Sequence, residues 1–185
     1  MQMNEKKKML RGKLYNPALE ELPLEREKAK MLCHKYNLIE PNDTIKRTSL
    51  ISKILRKTGK NFWIEQPFWC DYGYNIIIGE NFYSNHNLVI LDPAKVSFGD
   101  NVFIGPNCGF YTAEHPIDAE KRNKGLEYAK PIKVGNNVWF GGGVNVLGGV
   151  NIGDNVVIGA GSVVTNDIPS NVVAVGNPCK ILRKI

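Results

Sequence analysis

Residues 134–167 read VGNNVWFGGGVNVLGGVNIGDNVVIGAGSVVTND, and the stretch repeats itself every six positions. Val134, Phe140, Val146, Ile152, Ile158 and Val164 form one apolar column, and Val138, Val144, Val150 and Val156 form a second. Glycine follows the leading apolar residue at Gly135, Gly141, Gly153 and Gly159; Leu147 with Gly148 breaks the pattern once, and Thr165 closes it. A helix, with its 3.6-residue period, drifts off this beat within two turns, and plain strand alternation places apolar residues at every second position. In a chain that is 43% hydrophobic, ten such hits arise by chance with odds of roughly two in ten thousand. The repeat is therefore structural.

A hexapeptide period is the signature of a parallel β-helix, in which short strands form three flat faces and small residues take the corners. Coils stack about 4.8 Å apart, so equivalent Val and Ile side chains form ladders inside the prism. The beat extends backward through Tyr72-Gly73, Ile78-Gly79, Phe98-Gly99 and Ile104-Gly105, with two additional residues between Ile78 and Phe98 near Asp92-Pro93. A turn residue beside a proline suits a corner that bulges outward. Residues 112–131 carry the charged run EKRNKG and none of the apolar rhythm. They are expected to leave the solenoid as a loop, and long loops in compact repeats tend to carry function.

Residues 1–60 read as a helical cap over the bare first coil, and 61–185 as the solenoid with a short C-terminal tail. Leu24 to Tyr36 mixes Leu, Met and Ala with charged residues, and Asp43-Thr44 can cap a helix from Ile45 to Lys57 that stops at Gly59. At 185 residues this is one domain. The first ten residues lack a secretory core and no apolar run approaches membrane-spanning length, which predicts a cytoplasmic protein with no membrane partner. Cys33, Cys70, Cys108 and Cys179 are scattered without a CxxC pair, which argues against structural zinc and suits a reducing compartment. The net charge of +6 raises nucleic-acid binding, but the basic residues mix with Glu and no recognition motif accompanies them. Solvated helix faces explain them better.

Of the three histidines, His34 falls on a cap helix, His86 lies within a hexad, and His115 opens the loop as AEHPID. Pro116 restricts the His115 backbone to extended angles and so places the ring. His115 is the candidate for chemistry, against the plainer reading of a satisfied loop histidine.

The segments NFYSNHNLVILD, GPNCGFYTAEHPID, GLEYAKPIKVGNNVWFGGG, VNIGDNVVIGAGSVVTNDIP and AVGNPCKILRKI, with RGKLYNPALEELPLEREKA ahead of them, resemble the maltose and galactoside O-acetyltransferase group of the hexapeptide-repeat acyltransferases. The resemblance covers essentially the whole chain. It implies a left-handed parallel β-helix, against the usual right-handed crossover, and a homotrimer with an active site at each subunit interface. It further implies transfer of an acetyl group from acetyl-coenzyme A to a sugar hydroxyl, without a metal. On it, His115 matches the catalytic base and Asn85 an acceptor contact. Asp71 and Asp92 fall where polar acceptor contacts belong, and Glu127 either orients His115 or binds the acceptor. The cofactor groove matches Trp139, Gly141, Gly142, Ala160, Thr165 and Asn166, with Lys180 and Arg183 toward the phosphates. For the glycines, corner geometry is the competing explanation; Trp139, at a variable hexad position, is expected to point outward.

This chain departs from the pattern in three places. Gly142 stands where some members have serine, so an oxyanion donor there must be a backbone N–H. Asn166 stands where some have lysine. The cap reads NPALEE, which leaves Asn16 or Glu20 as the acceptor-side residue. Alternative readings are N-acetylation of an amino sugar or xenobiotic amine, and a non-enzymatic scaffold subunit; a carbonic-anhydrase-type site is disfavoured, because His86 and His115 alone are too few for three imidazole ligands.

Overall fold

The computed structural model describes residues 3–185 and has the three-faced solenoid architecture that the hexads predict. The first face stacks Phe62–Ile64, Phe82–Ser84, Phe103–Ile104, Val138–Phe140, Val156–Ile158 and Val172–Val175 in parallel, and the strand Lys180–Lys184 closes it in antiparallel sense. The second face stacks Phe68–Cys70, Leu88–Leu91, Gly109–Tyr111, Asn145–Leu147 and Val163–Val164. The third stacks Ile76–Ile77, Val96–Phe98, Ile132–Val134 and Asn151–Ile152, extended by single bridges from Lys57 to Ile77 and from Ile152 to Ile168.

All ten residues of the two apolar columns are buried, at no more than 3% exposure. Inside the prism Phe82, Phe98, Phe110 and Phe140 run edge to face with centroids 5.2, 4.9 and 5.3 Å apart. Each such contact contributes about 0.5–1.5 kcal/mol beyond the area it buries. Beyond Phe140 the column narrows to Val and Ile.

The three edges of the prism differ. Between the third and first faces, Asn81, Asn101, Asn137, Asn155 and Asn171 all adopt left-handed backbone angles, φ 54° to 63°. Their amides form a ladder: Asn61 donates to Asn81 at 2.7 Å, Asn81 to Asn101 at 2.9 Å, Asn101 to Asn137 at 3.1 Å and Asn155 to Asn171 at 2.9 Å. Asparagine suits this role because it tolerates αL angles and its amide both donates and accepts. The edge between the first and second faces holds one such rung, Asn87 to Asn107 at 2.9 Å.

The edge between the second and third faces absorbs every change in coil length. Phe62 pairs with Phe82 and Ile76 with Val96, each twenty residues on; Val138 pairs with Val156, eighteen on; Val156 pairs with Val172, sixteen on. The differences lie at 71–75, 92–95, 112–131, 148–149 and 165–167, all on this one edge.

Three helices precede the solenoid. α1 spans Glu5–Leu10, α2 Leu22–Asn37 and α3 Thr44–Ile54, the last capped by the Asp43 side chain accepting from Lys46 N at 3.1 Å. α3 stops short of the expected Lys57, because Lys57 already pairs with Ile77. Gly59 is a coil corner instead of a helix cap: a Cβ there would meet the Gly79 carbonyl oxygen at 2.5 Å. The four cysteines are free and buried, and Cys33 of α2 packs on Cys70 of the first coil with Sγ···Sγ 3.6 Å. No helix among the described residues is long and apolar enough to cross a membrane.

Candidate active site

Along the length-variable edge the solenoid collects its candidate chemistry. In the third coil, residues 112–131 begin as a hairpin, Ala113–Glu114 against Tyr128–Ala129, and continue through a short helix, Ala119–Asn123, in which most of the charged run lies. His115 follows the first hairpin strand. Its Nδ1 faces the Leu126 carbonyl oxygen at 3.3 Å, which can only accept, so Nδ1 is the donor there and Nε2 is the nitrogen turned toward Glu127. Nε2 sits 3.8 Å from Glu127 Oε1, and the side chain is 56% exposed. Glu127 Oε2 accepts from the Tyr15 hydroxyl at 2.8 Å. Tyr15 and Glu127 also exchange both backbone hydrogen bonds, at 2.9 and 3.0 Å. The segment between α1 and α2 is thereby tied to the loop at the residue beside His115.

The first-coil corner lies on the same edge. Arg26 of α2 donates to the Tyr72 hydroxyl at 2.8 Å and to the Pro17 carbonyl at 2.7 Å. Burial pushes the Asp71 carboxyl up; Arg26 offsets part of that and the nearby Glu127 carboxylate adds to it. Asp92 does not take the acceptor-facing position expected of it. It is fully buried, and its carboxylate accepts backbone N–H groups of Asp71 at 3.1 Å, Tyr72 at 2.8 Å and Asn75 at 3.3 Å. A corner two residues longer than its hexad leaves N–H groups that a strand would have paired, and Asp92 satisfies them. Burial pushes this carboxyl up to about 6, against the lowering effect of those N–H groups. Asn16 sits beside Tyr15, with its carboxamide oxygen accepting from Ala18 N at 2.9 Å and its own N–H donating to Glu5 at 2.6 Å. Glu20, the other candidate of the cap, accepts from Glu5 N at 3.0 Å. Thr165 and Asn166 also belong to this edge, in the fifth coil, and hydrogen-bond each other at 3.0 Å.

Asn85, Gly141, Gly142 and Ala160 lie on the edge between the first and second faces. Asn85 is in the second coil, with its side-chain oxygen accepting from His86 N at 2.7 Å. Above it come Gly105, then Gly141 and Gly142, then Ala160. Gly105 and Gly141 are demanded by stacking, since a Cβ would approach the next coil's backbone nitrogen at 2.6 Å in each case. Gly142 is not: its Cβ would meet only Pro106, at 3.4 Å. Trp139 points outward at 56% exposure, as its hexad position predicts. It continues an outward strip with Trp63, Tyr83 and Phe103 in register on the first face, which the sequence reading did not single out. Lys180 and Arg183 lie on the exposed closing strand at the end of that same sheet. Within one chain, then, Asn85 and the glycine groove occupy one edge and His115 with Asp71 and Glu127 another, with the second face between them.

Comparison with known proteins agrees with this architecture. Residues 8–59 match the maltose acetyltransferase hexapeptide capping motif, and residues 131–166 match the bacterial transferase hexapeptide repeats. The chain is 46% identical over 174 residues to the galactoside O-acetyltransferase of Escherichia coli K12, covering 94% of this chain and 86% of that protein. It superposes on the crystal structure of a maltose O-acetyltransferase from Clostridium difficile 630 with TM-score 0.98 and 52% identity, covering 99% and 98% of the two chains. A galactoside acetyltransferase in complex with coenzyme A gives TM-score 0.96 at 46% identity, covering 100% and 92%. A helical cap, a hexad solenoid and a histidine-bearing loop at these levels of identity make the chain a member of the hexapeptide-repeat acetyltransferases, in their maltose and galactoside acetyltransferase group.

Proposed function

We propose that the protein transfers the acetyl group of acetyl-coenzyme A to a hydroxyl of a sugar, in a homotrimer whose active sites form between subunits. The observation that carries this is the His115 ring, held by Leu126 O with Nε2 exposed beside Glu127. Acetyl-coenzyme A supplies an acetyl group activated as a thioester. Nε2 takes the proton of the acceptor hydroxyl as its oxygen attacks the thioester carbonyl, and the resulting imidazolium returns that proton to the departing sulfur. Glu127 offsets the positive charge that His115 acquires in between.

The glycine groove suits pantetheine, because Gly142 leaves open the space a side chain would fill, and Trp139 offers a flat wall beside it. Gly142 N–H makes no hydrogen bond among the described residues, which suits an oxyanion donor in place of a hydroxyl. Lys180 and Arg183 suit the coenzyme's phosphates. Asn85 and Asp71 are assigned to the acceptor, and Thr165 and Asn166 to the coenzyme. The division of these residues between two edges supports the trimer: the His115 edge of one chain facing the glycine edge of its neighbour completes a site, and a cyclic arrangement repeats it three times.

The test is thiol release from acetyl-coenzyme A with galactosides, glucosides, maltose and amino sugars, on the native protein and on His115→Ala. Acceptor-dependent release that falls at least about 100-fold in the variant supports the proposal. Native-level release by the variant refutes the assignment of the base, and release confined to amino sugars replaces a hydroxyl acceptor with an amine.

A further inference from the structure

We propose that Tyr15 is a positioning residue for the His115–Glu127 pair, contributed by the cap rather than by the solenoid. The inference rests on the acetyl-transfer reading above. Glu127 sits on a loop, where a carboxylate ordinarily samples several rotamers. Here its backbone is pinned by the paired hydrogen bonds with Tyr15, and its Oε2 by the Tyr15 hydroxyl at 2.8 Å. That leaves Oε1 as the oxygen turned toward His115 Nε2.

Tyr15 can hold this carboxylate in place because it does not itself move. Its side chain is 1% exposed and packs with Met9, Leu22 and Tyr72 in a small apolar cluster separate from the main core. Burial and the adjacent Glu127 carboxylate push its phenol far above the ordinary tyrosine range. Tyr15 therefore stays a neutral donor at any working pH, so its part is to fix Glu127 and not to exchange protons. Two elements more than a hundred residues apart in sequence meet at this one hydrogen bond. The cap thus reaches beyond covering the first coil: the segment that follows α1 sets the geometry of the loop in the third.

Tyr15→Phe removes the hydroxyl and keeps the ring and the backbone bridge, so the fold is left intact and the test isolates the hydrogen bond. With acetyl-coenzyme A and maltose or a galactoside as probes, the variant is expected to lose about fivefold to tenfold in kcat with the KM for acetyl-coenzyme A unchanged. Glu127→Gln is expected to lose activity on its own, and adding Tyr15→Phe to it to cost less than a further twofold, because both act through one carboxylate. Native kcat in Tyr15→Phe overturns the proposal, as do losses that multiply in the double variant, which describe a general structural role. His115→Ala run beside them separates the two levels: if it keeps native activity, the reading of the site itself fails and takes the role of Tyr15 with it.

Discussion

Mixing two inactive variants should restore activity to about one quarter of the native level if each site is shared between neighbouring chains. The first variant, His115→Ala, spoils the edge between the second and third faces. The second, Gly142→Phe, is chosen to fill the groove edge, where a Cβ would have Pro106 as its nearest neighbour, at 3.4 Å. Alone, each is expected to fall at least about 100-fold. In a random mixture in which a fraction f of chains carries one variant, an interface is intact only when a sound groove edge meets a sound histidine edge, with probability f(1−f). Recovery therefore peaks at about 25% for equal parts and vanishes at either extreme. The assay is thiol release after the two proteins are unfolded together and refolded at several ratios, with hybrid oligomers confirmed by mass tags. Hybrid oligomers that stay at the parental background at every ratio would refute the divided site and place both edges of the chemistry within one chain.

Three further outcomes are expected. The Asp92 carboxyl is held near 6 in the fold, above its ordinary 3.8, so the folded state binds a proton more tightly than the unfolded one and stability falls as pH rises from about 4 to about 6. Relative to Asp92→Asn, the native protein should lose about 2 kcal/mol of unfolding free energy between pH 4 and pH 7 in urea titrations; a difference that stays constant across that range counts against the burial argument. Phe110→Ala, between Phe98 and Phe140 in the aromatic column, should cost about 3–5 kcal/mol in the same titrations, and a loss under about 1 kcal/mol would mean the column repacks. Lys180→Ala with Arg183→Ala should raise the KM for acetyl-coenzyme A roughly tenfold and flatten its salt dependence while leaving kcat within about twofold; an unchanged KM removes both from the cofactor site.

What could be read from the sequence was whatever the solenoid imposes through periodicity. The ten apolar positions, the outward Trp139, the excursion at 112–131 and the Asp43 cap all follow from spacing or local chemistry. What was not legible depends on contacts that spacing does not encode. Tyr15 is one tyrosine in a cap segment, and its partner Glu127 lies 112 residues away. Asp92 reads as a polar corner residue free to face a ligand, yet the backbone of the neighbouring corner at 71–75, one coil away, needs an acceptor more than the surface does. Gly59 ends a helix-like run and so mimics a cap, when the carbonyl of Gly79 one coil away is what excludes a side chain there. Within the helical cap the bounds of α1 are not legible, because its lysine run carries little amphipathic signal; the helix is fixed by the Asn4 side chain accepting from Lys7 N at 3.0 Å. The same limit hides the aromatic strip on the first face: Trp63, Tyr83, Phe103 and Trp139 are aligned by coils of unequal length.

That inequality has an evolutionary side. Two residues added or removed at Gly135–Asn137 would break the asparagine ladder and displace the neighbouring strand from its partners in the stack. The same change at 148–149 only lengthens or shortens a corner, as already happens at 71–75 and 92–95. Descendants of this chain can therefore remodel the edge that carries His115 by trial insertions, at little risk to the stack of strands or to the groove between the first and second faces. The length of that edge is free to diverge while the six-residue beat beneath it stays fixed.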